Sequence, residues 1–225
     1  MKAVVKRNLG LEIDYAHVVD RLKLDEDLEE EFKDIYDECV KIADPKYMYA
    51  EYPVLRNGDI TQIGDYTFDS KLMKVNLENC PVCYAHVATC GRELYDFAVA
   101  HDDPLEKYWI DTVSEEYLYK ASALLRKDIA ELAGTEHIST MSPGSLPDFP
   151  IQRQKEVFAL LGNVTEATGI WLTEGFLMMP YKSGSGITFA STEGFVSCQL
   201  CQRENCPNRR APFDEMMAVN RFGIK

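Results

Sequence analysis

Long hydrophobic runs are absent from this chain. No apolar stretch approaches the ~20 residues that a membrane-spanning helix needs, so no such helix and no membrane partner is expected. Positive charge is scarce as well: 24 Lys and Arg against 37 Asp and Glu leave a formal net charge of -13. A sequence-independent grip on nucleic acid needs a basic surface or stripe. The short basic run Arg203, Arg209 and Arg210 is too little for a duplex footprint, which excludes a nucleic-acid partner. Much of the acidity sits in DEDLEEEFKD, from Asp25 to Asp34, and reads as a solvated helix face. The opening MKAVVKRNLGLEIDY is too poor in apolar residues and too soon acidic for a signal peptide, so a cytoplasmic setting is expected. Low-complexity tracts, internal repeats, a Walker loop and a dinucleotide fingerprint are all missing. No Ser-His-Asp or Cys-His order suggests a hydrolase.

What is present is a chain of 225 residues, long enough for a substantial core, with twelve tyrosines to pack in it. Leu28, Phe32, Ile35, Cys39 and Ile42 recur at intervals of three and four, one face of a helix closed by Asp44-Pro45. Cys39 on that stripe reads as a core residue. From Tyr47 to Phe68 the runs YMYAEYPVL, DITQIG and DYTF predict short strands, with Asn57-Gly58 as a turn. CPVCYAHVAT predicts a further strand ending near Thr89 and passing through Gly91 into a helix.

A long helix is expected from Ser114 to about Leu132, with Ser114, Glu115 and Glu116 at its start. PIQRQKEVFALLG predicts a helix stopped by Gly162. TGIWLTEG, SGITFA and GFVSC read as strands, and APFDEMMAV as a terminal helix with proline near its first turn. Strands follow strands and helices follow helices, which predicts an α+β fold: an antiparallel twisted sheet with flanking helices. Three segments are expected in one compact unit: an N-terminal helical segment 1–45, an α+β core 46–197 and a cysteine-array segment 198–225.

The chemistry concentrates at FVSCQLCQRENCPNRRAPFD. Cys198, Cys201 and Cys206 form a CxxCxxxxC array followed at once by proline (Pro207) and then arginines. In a reducing compartment such crowding points to metal or redox work more than to a disulfide. Soft thiolates select zinc, copper(I) or iron–sulfur clusters. Zinc needs a fourth Cys or His nearby, and His17, His86, His101 and His137 all lie far upstream. A cubane cluster tolerates a remote fourth ligand, for which Cys80, Cys83 and Cys90 are candidates and Cys80 the first choice. An iron–sulfur cluster, 4Fe-4S in form, therefore ranks ahead of zinc and of free thiols. Elsewhere, STMSPGSLPDFP offers backbone N–H groups for an anion or, more plainly, a loop and cap through Asp148. Glu174 sits in an apolar segment ahead of Lys182, suited to a ligand amine or to pairing with a lysine.

SPGSLPDFPIQRQKEVFALLG followed by TGIWLTEGFLMMPYKSGSGITFA resembles the activation (reactivation) domain of cobalamin-dependent methionine synthase. Upstream, ATCGRELYDF and DPLEKYWIDTVSEEYLYKAS add to the likeness, which runs roughly from Tyr47 to Cys198. The resemblance implies a C-shaped α+β domain that binds S-adenosylmethionine and docks on a cobalamin domain while Co(II), reduced by flavodoxin, is remethylated. It implies that Ser142, Pro143, Gly144, Ser145 and Asp148 line the adenosylmethionine groove, with Glu174 and Phe195 at family positions. Two departures stand out. Thr140 replaces the family's arginine and Ser145 its tyrosine, which removes a bidentate carboxylate partner and weighs against adenosylmethionine. The cysteine array has no counterpart in the synthase domain. Together these suggest a free-standing relative that uses its own cluster to return the Co(II) corrinoid of a partner methyltransferase protein to Co(I), fed by flavodoxin or ferredoxin. The alternatives are an S-adenosylmethionine-binding regulatory module without a cluster and a zinc-stabilised interaction module.

Overall fold

The computed structural model describes residues 2–191, 194–206 and 209–223. The chain opens with β1 (Val4–Lys6), α1 (Tyr15–Leu22) and α2 (Glu26–Ile42). Then come β2 (Lys46–Asn57), β3 (Ile60–Ile63), β4 (Tyr66–Phe68), α3 (Lys71–Asn76) and β5 (Val82–Thr89). The middle carries α4 (Arg92–Ala100), α5 (Pro104–Ala133) and β6 (Ile138–Met141). A 3₁₀ turn at Ile151–Arg153 leads into α6 (Gln154–Leu161) and α7 (Val164–Thr168), followed by β7 (Trp171–Leu172), β8 (Met178–Met179) and β9 (Ser183–Ala190). A second 3₁₀ turn, Ser197–Leu200, precedes α8 (Glu215–Asn220).

Seven strands form one antiparallel sheet in the order β4-β3-β2-β5-β9-β6, with β1 also on β2. The twelve-residue β2 shares one edge between two partners: Val4 pairs Tyr49, while Val54 pairs Ile63. Side chains on a strand alternate between faces. Tyr47 and Tyr49 accordingly meet Leu125 and Ile129 of α5 on one side, while Met48 and Ala50 join the core under α3, α6 and α7 on the other. A third cluster gathers α1, α2, α4 and the first half of α5 around Phe32, Leu94, Trp109 and Val113. The α+β reading of the sequence holds.

Several local expectations hold with it. The α2 stripe is buried at Phe32 and Cys39, and Gly162 ends α6 with φ 82°. The long helix begins earlier than expected, at Pro104. Asp103 caps it by accepting from the Leu105 N–H at 2.7 Å, and a proline in the first helical position loses nothing because its N–H would be unpaired there. Ser114 is a buried mid-helix residue. Likewise α8 begins at Glu215, capped by Asp214, so Pro212 precedes the helix. GFVSC forms no full strand: Val196 makes a single parallel bridge to Thr140, and the chain then tightens into the 3₁₀ turn. Among the described residues no helix is long and apolar enough to cross a membrane.

Candidate functional site

Where β5, β9 and β6 run side by side, their small and polar residues leave a concavity on the α5 side of the sheet. It is a groove of about 520 Å³, walled by α5, by Ser142 and Pro143, and by the segment Leu177–Met179. Its floor is a hydrogen-bonded chain across three strands and a helix. His86 Nδ1 lies 3.3 Å from Thr188 Oγ1, which is 2.7 Å from Thr140 Oγ1, which accepts from Arg126 Nη1 at 3.4 Å. Arg126 Nη2 also donates to the Ile138 carbonyl at 3.2 Å. Burial holds His86 down to about 4, so it is a neutral ring at physiological pH. Deeper in, Ser185 Oγ donates to Gln154 Oε1 at 2.6 Å. Gly186 lets β6 and β9 close up at this point, since a Cβ there would stand 2.6 Å from the Met141 carbonyl oxygen.

The cysteine array adjoins the groove through Arg210, while Cys201 lines a second cavity. Cys198 is in the 3₁₀ turn and Cys201 follows it, the Cys201 N–H donating to the Cys198 carbonyl at 3.2 Å. Arg209 stitches the loop: its guanidinium donates to the carbonyls of Cys198 and Ala211 at 3.3 Å, of Cys201 at 3.3 Å, and of Arg203. The Arg210 N–H points at Cys198 Sγ from 3.5 Å, while Arg210 also lines the groove. The Cys198 thiol is held below its ordinary value, first by that N–H, then, against the cost of burial, by the Ala211 N–H and the Arg210 charge. Cys198, Cys201 and Cys206 are partly exposed free thiols. Among the described residues no three His, Cys, Asp or Glu side chains are drawn together as a metal group. The donor chemistry suits thiolate ligation, with N–H groups already aimed at one sulfur, but the ligands are not gathered. Pro207 lies outside the described residues.

The remaining candidates separate. Ser142 and Pro143 line the groove, but Ser145 and Asp148 face a second cavity of about 540 Å³ together with Leu72, Cys201 and Phe222. Gly144, at φ 83°, makes the bend between them. Asp148 Oδ2 accepts from Ser70 Oγ and from the Leu72 N–H, both at 2.7 Å, and so caps α3 rather than the helix that follows it in sequence. Glu174 is exposed in the turn between β7 and β8, outside both cavities. Phe195 is a core residue 5.8 Å from the Phe222 ring. Cys80 is buried with its thiol 3.1 Å from the Ala190 carbonyl, and burial raises its pKa, as it does for Cys83. Sequence reasoning missed Arg126, His86 and Thr188. No motif marks them, because cross-strand register and the approach of α5 bring them together.

The scan against protein-family models and the search of curated proteins gave no match. Among solved structures, the crystal structure of the MetH reactivation domain bound to AdoHcy matches at a TM-score of 0.61 and 16% identity, covering 87% of this chain and 81% of that one. At that identity the likeness concerns architecture: this chain has the fold of the MetH reactivation domain.

Proposed function

We propose that this chain is an activation module for a corrinoid-carrying methyltransferase protein, returning that partner's cobalt from Co(II) to Co(I). Cys198, Cys201 and Cys206 would hold a 4Fe-4S cluster, with Cys80 as the candidate fourth ligand. Flavodoxin or ferredoxin would supply the electron. The fold supports the corrinoid partner, and the groove gives a concave face for it. The observation that carries the reading is Arg210, whose backbone N–H points at Cys198 while the residue lines the groove, so one thiol of the array adjoins the docking face.

When bound, such a cluster supplies a one-electron carrier. The chain's own residues do the rest: Arg209 fixes the carbonyls around the array, and Arg210 favours the thiolate of Cys198. The Cys80 thiol would have to leave the Ala190 carbonyl to become a ligand, which makes it the weakest member of the set.

Anaerobic purification with iron, sulfide and zinc counted tests the first half. About three or four irons per chain, with a visible band bleached by dithionite, is the expected result. The second half is tested with Cys201→Ala, which should abolish reduction of the partner's Co(II) while leaving the far-ultraviolet circular dichroism intact. Undiminished reduction by that variant would sink the proposal. A colourless protein with one zinc would turn the array into a structural staple and leave the groove as the place of function.

A further inference from the structure

The groove carries an unusual charge for so acidic a molecule. Its lining includes Arg126 and Arg210 and not one Asp or Glu, in a chain of formal net charge -13. Neither arginine has a carboxylate partner among the described residues. Arg126 spends two of its five N–H donors, on Ile138 and Thr140, and leaves three unused. Burial, and after it the neighbouring Arg210 cation, depresses Arg126. Both side chains are exposed where they line the groove, so solvent screens part of their mutual repulsion, and an anion between them would remove the remainder. Ser122 stands one helical turn before Arg126 on the same face of α5, and Ser142 also lines the groove, so neutral polar residues accompany the pair.

We infer that Arg126 and Arg210 form an oxyanion subsite in the groove, which takes a carboxylate or phosphate group. Planar guanidinium forks match either group with paired N–H···O bonds. Thr140 holds Arg126 in place through the hydroxyl chain to Thr188 and His86, so the fork is preset by the sheet. The subsite lies in the groove assigned above to the corrinoid partner, but needs no cluster.

The test titrates inorganic phosphate and, separately, acetate into the purified protein by calorimetry at fixed ionic strength, with chloride as the balancing anion. One saturable site is expected, weakened roughly tenfold or more in R126Q and in R210Q. The variant R126K should retain part of the affinity, since the charge stays and the fork goes. K120Q, on an exposed face of α5 outside the groove, should bind as the parent does. Tighter phosphate than acetate assigns a phosphate ligand, and the reverse a carboxylate; either order supports the subsite. No saturable binding of either anion, or parent-like binding by both R126Q and R210Q, overturns it. Iron and sulfide content measured on R126Q reads the cluster separately, so failure of one proposal is not mistaken for failure of the other.

Discussion

His86 is buried on β5, with a threonine hydroxyl beside Nδ1 and its proton affinity depressed to about 4 from an ordinary 6.5. Between those two values the unfolded chain holds a proton that the folded chain refuses. Acid therefore favours unfolding: the stability from a neutral His86 is complete above about pH 6.5 and is lost as pH falls toward about 4. The shift corresponds to roughly 3 kcal/mol. Urea unfolding at pH 7, 5.5 and 4 should show His86→Gln losing that share of the pH dependence; equal slopes in parent and variant would show that the ring is not held neutral. His86 also marks what could be read at this scale. Cys39 was legible as core because one helical stripe fixes it, and the crowded array was legible because its spacing is local. His86, Thr188 and Arg126 are 40 residues or more apart in pairs and meet only through strand register and helix docking, which no local pattern encodes.

Asp148 shows how an element can claim a residue that sequence assigns to a ligand. The resemblance puts it in a ligand groove and the residues alone favour a cap; its carboxylate is spent on Ser70 and on the N–H of Leu72 in the first turn of α3. A six-residue helix is marginal alone, so its first turn depends on such partners. Asp148→Ala should cost about 1–2 kcal/mol of unfolding free energy, measured by urea titration. It should leave phosphate binding in the groove unchanged, because Asp148 faces the other cavity. A parent-like stability would return Asp148 to the ligand-binding candidates. The elements themselves were legible wherever they are long and periodic: α2, β2, β5 and the later part of α5. Those missed are short: β1, β6, β8, α1, α3 and α7 span two to eight residues and owe their form to neighbours. The start of α5 was different, since Asp103-Pro104 is a sound cap signal that the stronger acidic cue at Ser114 obscured.

At the scale of the molecule, α5 is the member that ties the parts together. Its 30 residues extend roughly 45 Å. The first half packs Trp109, Ile110 and Val113 against α1, α2 and α4, while Leu125 and Ile129 cover the sheet and Arg126 reaches the groove. Arg21 of α1 pairs with Glu115 at 2.5 Å and Glu116 at 2.6 Å, and Lys182, just before β9, approaches Glu115 at 3.7 Å. A continuous helix cannot lose one core without fraying toward the other, so the N-terminal segment 1–45 and the sheet should unfold together. The two tryptophans make this testable: Trp109 sits in the helical cluster, 5.7 Å from the Phe32 ring, and Trp171 packs on Tyr95 at 5.8 Å and under Arg92. In Trp171→Phe the fluorescence follows the helical cluster alone, and in Trp109→Phe it follows the β7 side. For each variant the fluorescence midpoint in urea should coincide with its own circular dichroism midpoint, as one cooperative unit requires. A Trp109 signal that changes before the dichroism would place a boundary near residue 45 and allow the α1–α2 layer to open on its own. The groove would then be bordered by a helix whose far end is free to move, and the position of Arg126 would rest on the packing of Leu125 and Ile129 against the sheet and on its own bonds to Ile138 and Thr140.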